Sequence, residues 1–105
     1  SVQHLATAIR GAIDMNKTTS LRFFPVDSKL DNEALVSELS SVIGCQALLV
    51  SSLANITATD LSPNSSSPII ILVNQHRSKI SELESAWTLA EKSGNTVVGA
   101  ALVSN

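Results

Sequence analysis

The stretch "PIIILVN", residues 68–74, constrains the fold of this chain more than any other segment. Its five central residues are all apolar and mostly β-branched, so neither of its two alternating faces carries a polar side chain. A short run of this kind is typical of a strand that is buried on both faces, as the strands of parallel sheets are. The stretch therefore predicts a central strand of a parallel sheet.

The remaining segments alternate between helical and extended patterns. Helices are predicted over residues 2–15, 32–44 and 79–94, and further strands over residues 21–26, 47–53 and 96–103. A polar segment, residues 54–67, is long enough for a parallel crossover without a full helix. We therefore expect one small layered α/β domain over residues 1–105, with a mainly parallel four-stranded sheet and helices on both faces. Because the chain opens on Ser1 and not on Met, it is compatible with excision from a longer protein.

Local signals predict how the helices begin and end. Ser28 and Asp31 resemble a capping box for the second helix, and Ser78 is placed to cap the third. Gly44 and Gly94 follow helical patterns and are predicted C-caps. Along the third helix, the apolar residues at helical spacing are expected to face the core: Ile80, Leu83, Trp87 and Ala90.

Composition excludes several classes of function. The net charge of −2 provides no basic field for nucleic acid. A single cysteine excludes an internal disulfide framework and fits a reducing, cytoplasmic setting. No His or Cys spacing suggests a zinc site, and we expect no cofactor.

Ligands of parallel sheets bind beyond the carboxyl ends of the strands. The candidate ligand-binding residues are those that follow the first and third predicted strands: Asp27, Ser28, Lys29, Asn74, His76 and Arg77. His76 and Arg77 could contact a phosphate or a carboxylate. The first of these turns holds no glycine, and Asp27 and Asp31 would repel an anion, so we expect them to cap the helix instead.

Two residues are candidates for a nucleophilic or phosphotransfer role. Cys45 follows a predicted helix end, and His76 follows the strongest strand. A pairing of Cys45 with His4 would require a coincidence of folding that the spacing does not predict. Cys45 is more simply explained as a small buried residue.

Residues 68–105, "PIIILVNQHRSKISELESAWTLAEKSGNTVVGAALVSN", run as apolar strand, short turn, helix and a final strand. Upstream, "HLATAIRGAI" forms a helical pattern, and "PVDSKLDNEA" joins a strand to a helix. In this order and in these stretches the chain resembles the cytoplasmic ATPase domain of the bacterial tyrosine kinases of capsule and exopolysaccharide export. That family belongs to the MinD/ParA group of P-loop ATPases.

The chain also departs from this family. "PVDSKLDNEA" stands where the glycine-rich phosphate loop would be, and "ALLVSSLAN" offers Ser51 and Ser52 where a magnesium-binding Asp is expected. The family's phosphorylated tyrosines have no counterpart, because the chain contains no tyrosine. Of the family's oligomerisation motif Glu-x-x-Arg-x-x-Arg only Arg10 remains, with His4 and Thr7 at the other two places.

These departures imply a domain that retains a P-loop-like scaffold without catalysis. By resemblance it would be a non-catalytic interaction or regulatory domain of a polysaccharide biosynthesis, chain-length or export protein. Its partner would be a membrane-associated assembly, reached through the parent protein, or a second copy, bound through the surface that carries His4, Thr7 and Arg10. Two alternatives stay open: a small-ligand or nucleotide-binding domain that uses the strand-end turns, and a small phosphotransfer enzyme that uses Cys45 or His76.

Overall fold

The computed structural model describes residues 2–27, 31–74 and 79–103. Within these ranges the chain forms three α-helices and four β-strands, which follow one another as α1 (Val2–Ala12), β1 (Ser20–Pro25), α2 (Asp31–Ile43), β2 (Gln46–Leu49), β3 (Ile69–Asn74), α3 (Ile80–Lys92) and β4 (Val97–Val103). The order of elements is the one that the sequence predicts. The second strand is shorter than predicted, since it ends at Leu49 and not at residue 53.

The four strands form one parallel sheet in the order β2-β1-β3-β4. β3 is central and buried, as the apolar run predicts: Ile70 and Leu72 face one layer, and Ile69 and Ile71 face the other. The predicted fold class, a layered α/β domain with a parallel four-stranded sheet, is therefore confirmed.

Helices cover both faces of the sheet. α1 and α2 pack on one face, where Ala6, Ile9 and Leu39 belong to one buried hydrophobic cluster with residues of β1, β3 and β4. α3 packs on the other face through Ala86 and Ala90. The second face also receives Leu61, which belongs to the irregular crossover (residues 50–68) between β2 and β3. The crossover therefore takes the place of a helix on that face.

Arg22 holds the crossover in position. It lies in β1, is only 6% exposed, and points into the layer between the sheet and the crossover. Its guanidinium N–H groups donate to the backbone oxygens of Asp60, Ser62 and Ser67 and to the side-chain oxygen of Asn95. These bonds use all five N–H groups of the side chain. Burial lowers the pKa of Arg22, but an arginine keeps its charge at neutral pH.

The beginning of α3 differs from the sequence-based expectation. The N-cap is Lys79, whose backbone N–H donates to the Glu82 carboxylate over 2.9 Å. Ser78, the predicted cap, lies outside the described residues. Ile80 is 76% exposed, so the prediction that it faces the core is wrong. The helical repeat continues to Ile80, but this first turn projects beyond the sheet layer that α3 covers from Leu83 onward.

Both helices end at their predicted glycines: Gly44 directly follows α2, whereas the C-cap of α3 is Ser93 and Gly94 is the next residue. Gly44 has φ of 78° and Gly94 has φ of 87°, backbone angles that residues other than glycine rarely adopt. A Cβ on Gly94 would also lie 3.2 Å from Cγ of Pro63. The turn after α3 therefore packs closely on the crossover that Arg22 holds.

We predict that Arg22→Met lowers the free energy of unfolding by about 3 kcal/mol or more, because it leaves buried oxygens of the crossover without donors. Urea denaturation followed by circular dichroism measures the change. Lys17→Met, in an exposed turn, serves as the matched control and should change stability by less than about 0.5 kcal/mol. Equal effects of the two substitutions would contradict a structural role for Arg22.

Candidate functional site

The strand order creates one place where ligands of parallel sheets are expected. β1 is followed by β2 on one side of the sheet, whereas β3 is followed by β4 on the other side. The carboxyl ends of β1 and β3 are therefore neighbours at a topological switch point, where open α/β sheets have their binding crevice. The Val26 N–H donates to the carbonyl of Leu72 over 3.0 Å and joins the two strand ends.

Three polar residues surround this switch point. Asn32, in the first turn of α2, and Asn74, at the end of β3, are each only 7% exposed. The Asn32 amide donates to the carbonyl of Asp27 over 3.2 Å. The crevice between these residues, Leu72 and Val103 is too narrow to admit a water molecule. Protein side chains therefore fill the described part of the switch point.

The structure brings together two of the candidate ligand-binding residues, Asp27 and Asn74, which line the same narrow crevice. Ser28, Lys29, His76 and Arg77 lie outside the described residues, and their roles stay predictions.

Asn32 belongs to this edge but was not predicted as a site residue, because the sequence places it simply among the first residues of a helix. One signal could have identified it. Asparagine favours helix starts since its side chain can bond nearby backbone groups, and here it bonds the turn that precedes α2.

Cys45 lies at the opposite end of the sheet. It directly precedes β2, so it is at the amino edge, whereas β3 ends at the carboxyl edge. The thiol is partly buried, packs against the core, and contacts the carbonyl of Gln46 over 3.7 Å. Burial raises the pKa of Cys45, which reduces the fraction present as the nucleophilic thiolate.

His4 and Cys45 are at opposite ends of the α1–α2 layer. A guanidinium N–H of Arg10, near the end of α1, donates to the carbonyl of Val42 near the end of α2. The two helices therefore run in the same direction, and Cys45 lies close to the Arg10 end. His4 is almost two turns away along α1, towards the carboxyl edge.

The predicted interaction surface is the exposed side of α1. His4, Thr7 and Arg10 are all exposed, while Ala6 and Ile9 on the other side of the helix are buried. The Thr7 hydroxyl donates to the carbonyl of Gln3 over 3.0 Å. Because Arg10 already bonds Val42, an approaching partner would meet a guanidinium whose orientation is fixed by α2.

A groove of about 430 Å³ opens beside Arg22, between β2 and the crossover. The guanidinium of Arg22 is a buried cation and could in principle bind an anion in this groove. However, every N–H of the guanidinium already donates to an oxygen of the chain. The groove therefore offers an anion no donor from Arg22. We assign Arg22 to the stability of the fold.

Across residues 2–27, 31–74 and 79–103, no group of three or more His, Cys, Asp or Glu residues is arranged to hold a metal ion. In the same part of the chain, no helix combines the length and the apolar character needed to cross a membrane.

The fold and the filled crevice define this chain as a small parallel α/β protein. No family model, no curated protein and no solved structure matches it.

We predict that alkylation of Cys45 by iodoacetamide is slower in the folded chain than in the urea-unfolded chain at pH 8, and that its rate rises with pH to a higher midpoint. Because the pKa of the Cys45 thiol is raised in the folded chain, its contribution to the free energy of unfolding is constant below the ordinary thiol pKa. That contribution decreases as the pH rises above it. The unfolded chain is the control. Equal midpoints in the two states would contradict burial of the thiol.

Proposed function

We propose that this chain is a non-catalytic interaction or regulatory domain. The observation that carries the proposal is the narrow crevice in the described part of the switch point, where the buried side chains of Asn32 and Asn74 leave no space for a water molecule. A domain that keeps the scaffold and fills the crevice presents its outer surfaces, and not a pocket, for recognition.

The chemistry of phosphoryl transfer supports this proposal. Such catalysis relies almost wholly on the positioning of phosphates and on the neutralisation of their charge. The turn between β1 and α2 contains no glycine that would let successive N–H groups converge on a phosphate, and it begins with the carboxylate of Asp27. Both features disfavour a bound nucleotide.

The biological setting of the proposal rests on the family resemblance alone. Residues 68–105 and 4–13 are similar to stretches of the kinases of capsule and exopolysaccharide export, so the proposed parent is a polysaccharide chain-length or export protein. The proposed location is cytoplasmic, at a membrane-associated assembly.

The proposed contact surface is the exposed side of α1, to which the resemblance assigns subunit contacts. Deletion of this helix would be a poor test, since Ala6 and Ile9 belong to the hydrophobic core. Single substitutions on the exposed side test the surface and leave the core intact.

We predict that titration of the purified chain with ATP and Mg²⁺ gives no binding heat up to millimolar nucleotide, because the switch point is filled. Isothermal titration calorimetry is the measurement. Saturable binding that is lost in Lys29→Ala would instead favour the alternative, a nucleotide-binding domain that uses the strand-end turns. Incubation with a phosphodonor followed by mass spectrometry tests the phosphotransfer alternative, which requires a label on Cys45 or His76.

We predict that Thr7→Glu weakens the association of the chain with its partner about tenfold, because it places a charge in the centre of the α1 surface. Ser85→Glu on α3 is the matched control, since its hydroxyl also donates to the carbonyl four residues earlier. Light scattering over a concentration series measures self-association, and co-purification with the proposed export assembly measures binding of another protein. Equal behaviour of the two variants would remove α1 from the proposal.

A further inference from the structure

β4 is an edge strand of the sheet. Among the described strands it pairs only with β3. Its seven residues, Val97–Val103, include no charged residue and no proline, two of the features with which proteins block an exposed edge. The pairing with β3 is irregular between Val97 and Gly99, and it is regular from Gly99 to Val103. β2, at the other edge, is blocked by its shortness, because it has only four residues.

The register identifies which backbone groups of β4 point outward. The Ile69 N–H donates to the carbonyl of Thr96 over 2.9 Å, so Ile69 and the alternate residues after it face β4. Leu72, on the opposite alternation, accepts from Val26 on the β1 side. Ile71 and Val73 bond β4 and are aligned with Ala100 and Leu102. In a parallel pair, such a residue bonds the neighbours of the residue with which it is aligned, so Ala101, between Ala100 and Leu102, bonds β3. The N–H and C=O groups of Ala100 and Leu102 therefore point away from the sheet.

The side chains of this edge leave space for a neighbour. Leu102 is 65% exposed, and a Cβ built on Gly99 meets no other atom within 4 Å. Between β4 and α1 lies an apolar groove of about 170 Å³, lined on the strand side by Gly99 and Ala101 and on the helix side by Leu5 and Ala8. The edge thus combines unpaired backbone groups with apolar surface.

We propose that β4 pairs antiparallel with β4 of a second copy of this chain, with the two-fold axis between the two Ala101 residues, so that two sheets join into one of eight strands. This inference rests on the proposed function, for which it names a partner and a second contact surface in addition to the exposed side of α1. In this arrangement, Ala100 of one copy and Leu102 of the partner subunit exchange two N–H···O=C bonds. By symmetry, Leu102 of the first copy and Ala100 of the partner subunit exchange two more.

Side-chain sizes favour this register. The two Ala101 residues form a non-hydrogen-bonded pair, whose Cα atoms approach to about 4.5 Å and which small side chains suit. Gly99 lies opposite Val103 of the partner subunit, which enters the groove beside α1. Ala100 lies opposite Leu102 of the partner subunit, so that each large residue meets a small one. Because the strand carries no charge, the two-fold axis brings no like charges together.

Sedimentation equilibrium of the full chain over a concentration series tests the proposal. We expect a monomer–dimer equilibrium, and we expect Ala100→Pro to raise the dissociation constant about tenfold or more, because each copy loses an outward N–H. Ala47→Pro is the matched control: Val50 bonds Phe23, so Ala47 likewise points outward, but from the opposite edge. A wild-type chain that stays monomeric, or equal dissociation constants for the two variants, would overturn the proposal.

Disulfide cross-linking tests the register and does not depend on how well the proline variants fold. In a Cys45→Ala background, Ala101→Cys should form a covalent dimer on oxidation, whereas Leu102→Cys should not, since Leu102 lies opposite Ala100 of the partner subunit. Failure of Cys at position 101 to cross-link, or equal cross-linking at both positions, would overturn this pairing. Failure of the proposed function is a separate result, because it would appear as ATP binding and would leave the sedimentation unchanged.

Discussion

The rest of the structure depends on the hydrogen bonds that the buried guanidinium of Arg22 donates to the crossover. A helix bonds its own backbone oxygens, but an irregular crossover on a buried face cannot. Arg22 supplies the missing donors to Asp60, Ser62 and Ser67, and Asn95 extends the network to the carbonyl of Leu61 over 2.7 Å. A parallel sheet needs cover on both faces, and this network lets a segment without a helix provide it.

The two ends of the sheet are consequently specialised in different ways. Near the amino edge, Arg22 of β1 donates hydrogen bonds to the crossover and holds it against the face of the sheet that α3 also covers. At the carboxyl edge, Asn32 and Asn74 line a crevice that, among the described residues, is too narrow for a water molecule, at the position where open parallel sheets commonly bind a ligand. The outer side of α1 and the outer edge of β4 are the two described surfaces for which we propose a role in recognition.

Much of the fold was predictable because its signals are local. The apolar run at Ile69–Val73 requires burial on both faces, and Gly44 and Gly94 end their helices through positive φ. The beginning of α3 was predicted incorrectly, because helical spacing continues past the last turn that touches the sheet. Arg22 was missed since its partners are set by tertiary contacts. Asn32 was missed although its partner is local, because the sequence places it simply among the first residues of a helix. An arginine in an otherwise apolar strand was the available signal, because burial there demands oxygen partners.

The separation of the Arg22 contacts along the chain has a consequence for how the crossover moves. Its bonds span 45 positions to Ser67 and 73 to Asn95, so they form only when β1, the crossover and the turn after α3 are assembled together. Irregular segments usually open locally and at low energetic cost. Here, opening the inner part of the crossover would leave the buried guanidinium of Arg22 without its oxygen partners. Proteolysis and amide hydrogen exchange of the crossover are therefore expected to require the cooperative unfolding of the whole domain.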